Sequence, residues 1–180
     1  MVEVRRAVVD DAAELVRLRG LMLRAMGIGE PGVDDWQPVA LRSLRDRLAE
    51  PDGSLAAFVV DQPAGPGDRP VDPADAPAGP PRLAACVVGV VERRLGTPDN
   101  PSGEIGYVFN VSTDPGYRRR GYSRALMAAL LGWYRERGIV VVDLVATADG
   151  EPLYRSMGFE ASALPLMHLT LAADPAGVRS

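Results

Sequence analysis

Lysine is missing from this chain, and cysteine and histidine occur once each, as Cys86 and His168. A single cysteine excludes an intrachain disulfide, and one cysteine with one histidine leaves no basis for a His/Cys metal cluster. Without lysine there is no Gly-x-x-x-x-Gly-Lys-Ser/Thr phosphate loop. Aromatics make up only 6% of the residues, and no recognisable RNA-binding module surrounds the arginines. The net charge of −4 argues against nucleic acid as the main partner. No apolar run reaches membrane-spanning length, and Arg5, Arg6 and Asp10 interrupt what would have to be a signal peptide. The expected setting is cytoplasmic, with no membrane and no nucleic-acid partner. What is present is 180 residues, 47% hydrophobic and 24% charged, which reads as one soluble domain with a sizeable core.

The chain is organised around Glu104 to Gly138. Ile105, Tyr107, Phe109 and Val111 alternate at period two, which predicts a strand with these four on one face. Pro115 and Gly116 end it. From Tyr122 the period becomes helical, through Leu126, Ala129, Leu130 and Trp133, and Gly138 is placed to close that helix. Between them stands Arg118-Arg119-Arg120-Gly121-Tyr122-Ser123. A helix start leaves its first amides without intrahelical partners and carries partial positive charge. Gly121 lets an anion approach the backbone, and the arginines add charge-assisted bonds to phosphate oxygens. The unit therefore reads as a pyrophosphate site; the bland alternative is a solvated basic turn.

Around this unit the sequence predicts a strand over Val2–Val9 and a helix entered through Asp10 and Asp11, with Glu14 as a capping-box partner. Gly27 and Gly29 stop that helix, residues 28–37 form a loop, and Pro38 opens a second helix striped by Leu41, Leu44 and Leu48. Leu55–Val60 and Leu83–Val91 read as buried strands, with Cys86 as core rather than nucleophile. Gln62 to Arg82 holds seven of the sixteen prolines, which marks an insertion at a hairpin tip. Ile139–Ala146 reads as a buried strand parallel to the Glu104–Ser112 strand, because a helix connects them. Leu166–Leu171 reads as a last strand, with His168 a strand residue, and Ala172–Ser180 as a frayed tail.

Arg118 and Gly121 match the (Gln/Arg)-x-x-Gly-x-(Gly/Ala) acyl-CoA signature of the GNAT superfamily of N-acetyltransferases, with Ser123 in place of Gly/Ala. Leu153, Tyr154, Gly158 and Phe159 match a second family pattern, from which Thr147 and Gly150 depart at its Asn and Ala. The segment thus resembles a GNAT domain, and the likeness extends roughly from Val2 to Leu171. It implies an α/β fold for residues 1–180 as a single domain: a mixed central sheet of six to seven strands, helices on both faces, and central strands splayed to hold acyl-CoA. It implies acetyl-CoA as acyl donor with no metal. Arg118, Arg119, Arg120, Gly121, Tyr122 and Ser123 would bind the pyrophosphate, and backbone near Val111 and Thr113 the pantetheine.

The resemblance also places Tyr154 as the acid near the CoA sulfur, and Glu104 among the candidate bases. Tyr107 and Asn110 could hold a water, and strand parity puts them on opposite faces. In such proteins the loop between the first two helices borders the acceptor pocket, which makes Trp36 and Asp35, with Asp34 and Glu30, the candidates to touch the acceptor. Its acidity points to a cationic small-molecule or peptide amine. The expected activity is N-acyl transfer by direct attack, since no cysteine or serine is arranged as an activated nucleophile. The rivals are a non-catalytic acyl-CoA-binding module and a nucleotide-binding protein. A homodimer is compatible with this reading.

Overall fold

The computed structural model describes residues 2–29, 35–63, 82–164 and 166–171. They divide into two compact units, Met1–Val145 and Ala146–Ser180.

In the first unit the order is β1 (Arg5–Arg6), α1 (Ala12–Ala25), α2 (Trp36–Ala49), β2 (Leu55–Asp61), β3 (Leu83–Arg93), β4 (Glu104–Thr113), α3 (Tyr122–Glu136) and β5 (Val142–Leu144). The strands follow one another in a single mixed sheet, β1-β2-β3-β4-β5. Neighbours are antiparallel up to β4, and β5 runs parallel to β4 because α3 carries the chain back across the sheet. Five strands form among the described residues, against the six to seven expected. The first is two residues long rather than eight. Gln62 N donates to Arg82 O at 2.8 Å, so the proline-rich segment leaves and rejoins the β2–β3 hairpin at one point; its residues 64–81 lie outside the described residues.

The helices lie on both faces. Leu15 and Leu18 of α1 join Ala57, Val59, Cys86 and Val88 in one core cluster, with Leu44 and Leu48 of α2 at its margin. On the opposite face α3 buries Leu126, Met127, Leu130, Trp133 and Tyr134, a wider stripe than the four residues expected. Tyr134 reaches the sheet through a slot formed by two glycines. A Cβ at Gly89 would overlap the Tyr134 hydroxyl, and one at Gly106 would stand 2.9 Å from its ring. The hydroxyl donates toward the carbonyls of Val90 and Tyr107, each 3.1 Å away. These two residues face each other across β3 and β4, so one phenol ties α3 to both strands. Gly138, at φ 73°, ends α3 as expected, with Ile139 N donating back to Tyr134 O.

The entry to α1 differs from the expected capping box. Asp11 is 1% exposed and points backward, accepting from Val8 N at 2.8 Å and from both terminal nitrogens of Arg5 at 2.7 and 2.8 Å. Arg5 also holds Asp61 of β2 at 2.7 and 2.8 Å. Glu14 is no cap either; it pairs with Arg17 and accepts from Leu83 N. Burial would raise the Asp11 carboxyl, but the Arg5 and Val8 hydrogen bonds outweigh it and hold it below its ordinary range. The strand expected over Ile139–Ala146 shrinks to three residues. Val140 is 71% and Val145 59% exposed, because among the described residues β5 has a neighbour on one side only.

The second unit contains α4 (Glu151–Arg155). Gly158, at φ 93°, closes it, and Phe159 N donates to Tyr154 O. The segment Leu166–Leu171 is not a strand: no ladder partner meets it among the described residues, and its leucines are exposed.

Two outcomes follow. Gly89→Ala should lower unfolding free energy by about 1–3 kcal/mol through overpacking. Gly132→Ala, with open space around its Cβ position, should raise it by about 0.5–1 kcal/mol. Urea denaturation of both decides, and equal effects would reject the slot. Asp11 has a depressed folded-state pKa, so its contribution is present above its unfolded value of about 3.9 and fades as pH falls through the folded value. The stability gap between wild type and Asp11→Asn should therefore be full at pH 6 and shrink below about pH 4. A gap that stays constant down to pH 3 would contradict this assignment.

Candidate functional site

β4 builds the site. Its register against β3 pairs Val90 with Tyr107 and Gly89 with Val108, but Val88 with Asn110, leaving Phe109 as an extra residue. Such a bulge shifts the side-chain alternation by one. Val88 lies in the α1-facing core cluster with Val90 packed against it, so their partners Asn110 and Tyr107 share that face. The expectation that parity separates Tyr107 from Asn110 is therefore overturned. Val111 moves for the same reason to the α3 face, away from Tyr107. No period-two reading of residues 105–111 could have shown this.

The bulge also marks where the sheet opens. β5 pairs with Gly106, Tyr107 and Val108, and beyond Val108 the β4 edge has no strand partner among the described residues. Asp114 N donates to Ala84 O of β3 at 2.8 Å. By the alternation of an antiparallel ladder, Ser112 then also points at β3, and the peptide groups of Val111 and Thr113 point to the open edge.

That edge runs into the arginine turn. Asp114 accepts from Gly116 N and from Arg17 of α1 at 2.8 Å, while Arg17 also donates to Leu83 O. Burial would raise the Asp114 carboxyl; Arg17 and the Gly116 amide more than reverse it. The turn is thus fastened to α1 and β3. Arg118, Arg119, Arg120 and Gly121 are exposed, with Arg120 stacked 5.1 Å over the Tyr117 ring. Arg119 has φ 63° and Gly121 φ 79°; a left-handed arginine is uncommon, and the sequence carries no signal for it. α3 begins without a side-chain cap. Its first intrahelical bond is Ala125 N to Gly121 O, which leaves the amides of Tyr122 and Ser123 available to an anion. Nothing lies within 4 Å of a Cβ position at Gly121, so the approach is open. Ser123 Oγ meets Thr113 Oγ1 at 3.2 Å, joining the helix start to the end of β4.

On the α1/α2 face lies a cavity of about 180 Å³. Its polar lining is Arg19 of α1, Ser43 and Arg47 of α2, and Asn110 at the bulge. Arg19 Nη1 is 3.5 Å from Phe109 O, with its guanidinium 5.6 Å from the Phe109 ring centre. Burial holds this guanidinium below its ordinary range. Asn110 is 2% exposed; its Nδ2 contacts Cys86 Sγ, and its Oδ1 has no partner among the described residues. None of these four was singled out as an acceptor contact from the sequence. Trp36 and Asp35 do not line this cavity. Trp36 opens α2 and packs toward Gly20, and Asp35 is exposed; Glu30 and Asp34 lie outside the described residues.

Glu104 sits at the far end of β4, nine residues before Thr113 and so roughly 30 Å along the strand, with its carboxylate 3.2 Å from Arg93 Nε. Cys86 is fully buried, and burial pushes its thiol up to about 12. In the second unit Tyr154 stacks edge-on against Phe159 at 5.9 Å, and burial raises its phenol. A Cβ at Gly150 would come 3.0 Å from the Tyr154 ring. Glycine there gives the ring the room that the alanine of the resembled pattern would narrow. Thr147 forms the turn before α4, its Oγ1 accepting from Gly150 N and its carbonyl from Glu151 N.

An open strand edge leading into an uncapped, arginine-flanked helix start defines a protein that can take an extended ligand ending in phosphates. The acetyltransferase (GNAT) domain family matches residues 83–162. A GCN5-related N-acetyltransferase from Ralstonia eutropha is similar at 27% identity and a TM-score of 0.74, over 94% of this chain and 99% of that one. A predicted acetyltransferase from Clostridium acetobutylicum, solved with acetyl-CoA, is similar at 24% identity and a TM-score of 0.75, over 94% and 96%. A ribosomal-protein-alanine N-acetyltransferase from Brucella melitensis is similar at 18% identity and a TM-score of 0.65, over 94% and 100%. No curated protein matches. Residues 83–162 thus match an acetyltransferase (GNAT) domain, and the chain has the fold of these solved acetyltransferases.

The state of Cys86 gives a direct check on the core under the bulge. The native protein at pH 8 should label with a maleimide only at the rate of local opening, and stoichiometrically once unfolded in urea. Rapid native labelling would mean that this face of the sheet is open.

Proposed function

We propose that this domain transfers an acetyl group from acetyl-CoA to the amine of a small molecule or peptide, by direct attack on the thioester. The observation that carries the reading is the continuity of the open β4 edge with the uncapped start of α3. The outward peptide groups of Val111 and Thr113 suit the amides of a pantetheine arm, as an added strand would. The Tyr122 and Ser123 amides, the bare backbone of Gly121 and the charges of Arg118, Arg119 and Arg120 suit a pyrophosphate.

In the transfer, a neutral amine nitrogen forms a bond to the thioester carbonyl carbon, the carbon–sulfur bond breaks, and CoA leaves as the thiol after taking up a proton. The amine gives up the balancing proton to solvent. An ordinary alkylammonium, with pKa about 10.4, is mostly protonated at neutral pH, so its deprotonation costs roughly 4–5 kcal/mol and a route for that proton matters more than an acid for the thiol. Tyr107 and Asn110, on one face at the bulge, are suited to hold the water that carries this proton. Glu104 is engaged by Arg93 and lines no part of the cavity, so the reading gives it no step. Tyr154 is the assigned acid by its match to the second family pattern. Its raised pKa keeps it protonated at neutral pH, so it is a donor; because a thiol is more acidic than a phenol, it gives the sulfur a hydrogen bond rather than its proton. The buried, protonated Cys86 offers no covalent route.

Ser123→Asp separates binding from folding. An aspartate in the first turn of α3 should favour the helix by about 0.3–1 kcal/mol, yet it sets a negative charge against the pyrophosphate. Acetyl-CoA affinity measured by calorimetry should fall by about 10–100-fold, with the denaturation midpoint held or raised. Gly121 is the poorer probe, since its positive φ strains any side chain. Tyr154→Phe, which removes the hydrogen bond to the departing sulfur, should lower kcat by about 10–100-fold with little change in acetyl-CoA affinity. With a simple amine, kcat/KM should rise about tenfold per pH unit between pH 7 and 9, as the neutral amine fraction does. Wild-type protein that binds no acetyl-CoA would overturn the reading.

A further inference from the structure

The cavity beneath the bulge has polar groups that fit a particular kind of acceptor. Its about 180 Å³ equals roughly six waters of liquid volume, enough for a small metabolite and too little for a polysaccharide or a folded protein segment. Two of its four polar groups are cations, Arg19 and Arg47. Among the described residues neither is paired with a carboxylate, whereas Arg5, Arg17, Arg93 and Arg94 are. Arg19 is half-buried with a long contact to one carbonyl and an aromatic ring as its recorded neighbours. A desolvated guanidinium without an anion is an unfavourable arrangement that a bound carboxylate would relieve. Asn110 has the complementary deficit. Among the described residues its buried Oδ1 has no donor, a deficit that an N–H of the ligand would make good. Leu15 and Val88 supply an apolar floor between these groups.

We propose that the acceptor amine belongs to a small carboxylate-bearing molecule of the amino-acid class, its carboxylate held by Arg19 with Arg47 and its amine hydrogen given to Asn110 Oδ1. The proposal rests on the acetyl-transfer reading above and adds the acceptor class to it. Asn110 adjoins the bulged residue of the strand whose opposite edge is free, so an amine bound to it lies beside the stretch of β4 proposed for the acyl donor. This is the reverse of the cationic acceptor suggested by the acidic loop, because the described cavity is lined by arginine and by no acid.

The test compares each common α-amino acid with its decarboxylated amine, as acceptors under saturating acetyl-CoA and, without acetyl-CoA, as ligands that shift the denaturation midpoint. At least one amino acid should exceed its amine by about 10–100-fold in kcat/KM, the range expected of a charged hydrogen bond. Arg19→Met should shrink that ratio mainly through KM for the acid, and Arg19→Lys should restore part of it. Arg47→Gln, on the partly exposed face of α2, should shrink the ratio in the same direction and guards against a folding defect at position 19. Amines equal to or better than their parent acids would overturn the proposal while leaving acetyl transfer standing. Amino acids that raise the midpoint in an Arg19-dependent way, with no transfer to any amine, would keep the binding site and sink the transfer reading. No amino acid shifting the midpoint or serving as acceptor, with acetyl-CoA still bound, would reject the site alone.

Discussion

The phenol of Tyr134 sets the geometry on which the rest of this domain depends. It enters the sheet where Gly89 and Gly106 leave no Cβ in its way and donates to carbonyls on both β3 and β4. A phenol that deep would be unfavourable without those acceptors. With them, α3 is held at a fixed height over the rung that pairs Val90 with Tyr107. That rung adjoins the bulge, where the regular ladder is interrupted and carbonyls lose their usual partners. The helix is therefore anchored at the place where the sheet is about to open, and its other end comes down beside Thr113.

Two consequences of the bulge work together. On one edge of β4 the pairing with β5 stops at Val108, which exposes the outward peptide groups of Val111 and Thr113. On one face the shift of register brings Asn110 to the same side as Tyr107. An unbulged strand would point Asn110 toward α3 and leave the α1/α2 cavity without its deepest polar group. The same extra residue that opens the edge proposed for the donor thus supplies the face proposed for the acceptor. Arg17 completes the arrangement from the other side. By binding Glu14, Asp114 and Leu83 O, it fixes the turn that carries the three arginines relative to α1, and hence relative to Arg19 two residues further on.

Much of this was legible in the residues. The change of period at Tyr122, the stop at Gly138 and the Arg118–Ser123 turn were read from local chemistry, and the structure has each of them where periodicity put it. Cys86 was read as core and is fully buried. The failures share one cause. A bulge, a left-handed Arg119 and the backward turn of Asp11 toward Arg5 are all settled by partners distant in sequence, and no local pattern encodes them. Phe109 looks like an ordinary member of an alternating strand until its pairing with β3 is known. Asp11 looks like a helix cap until Arg5 and Asp61 are found beside it. The short β5 and the Leu166–Leu171 segment, unpaired among the described residues, follow the same rule: both runs read as strands by composition, although a strand depends on a neighbour that the run itself does not specify.

Because every cation in this chain is an arginine, side-chain type cannot distinguish structural charge from functional charge, and only surroundings can. Arg5 and Arg17 are partly buried and saturated by carboxylates, so their charge is consumed in holding the fold. Arg93 and Arg94 form exposed pairs, of small energetic consequence. Arg118 and Arg119 stand in solvent beside unsatisfied helix amides, where charge is retained at little desolvation cost and is free to meet phosphates. Arg19 belongs to none of these groups. It has given up much of its hydration without gaining a carboxylate among the described residues, next to an asparagine with the opposite shortfall. A fold could avoid that loss by placing a neutral side chain at position 19, so the charge there is best accounted for by an anion that arrives from outside.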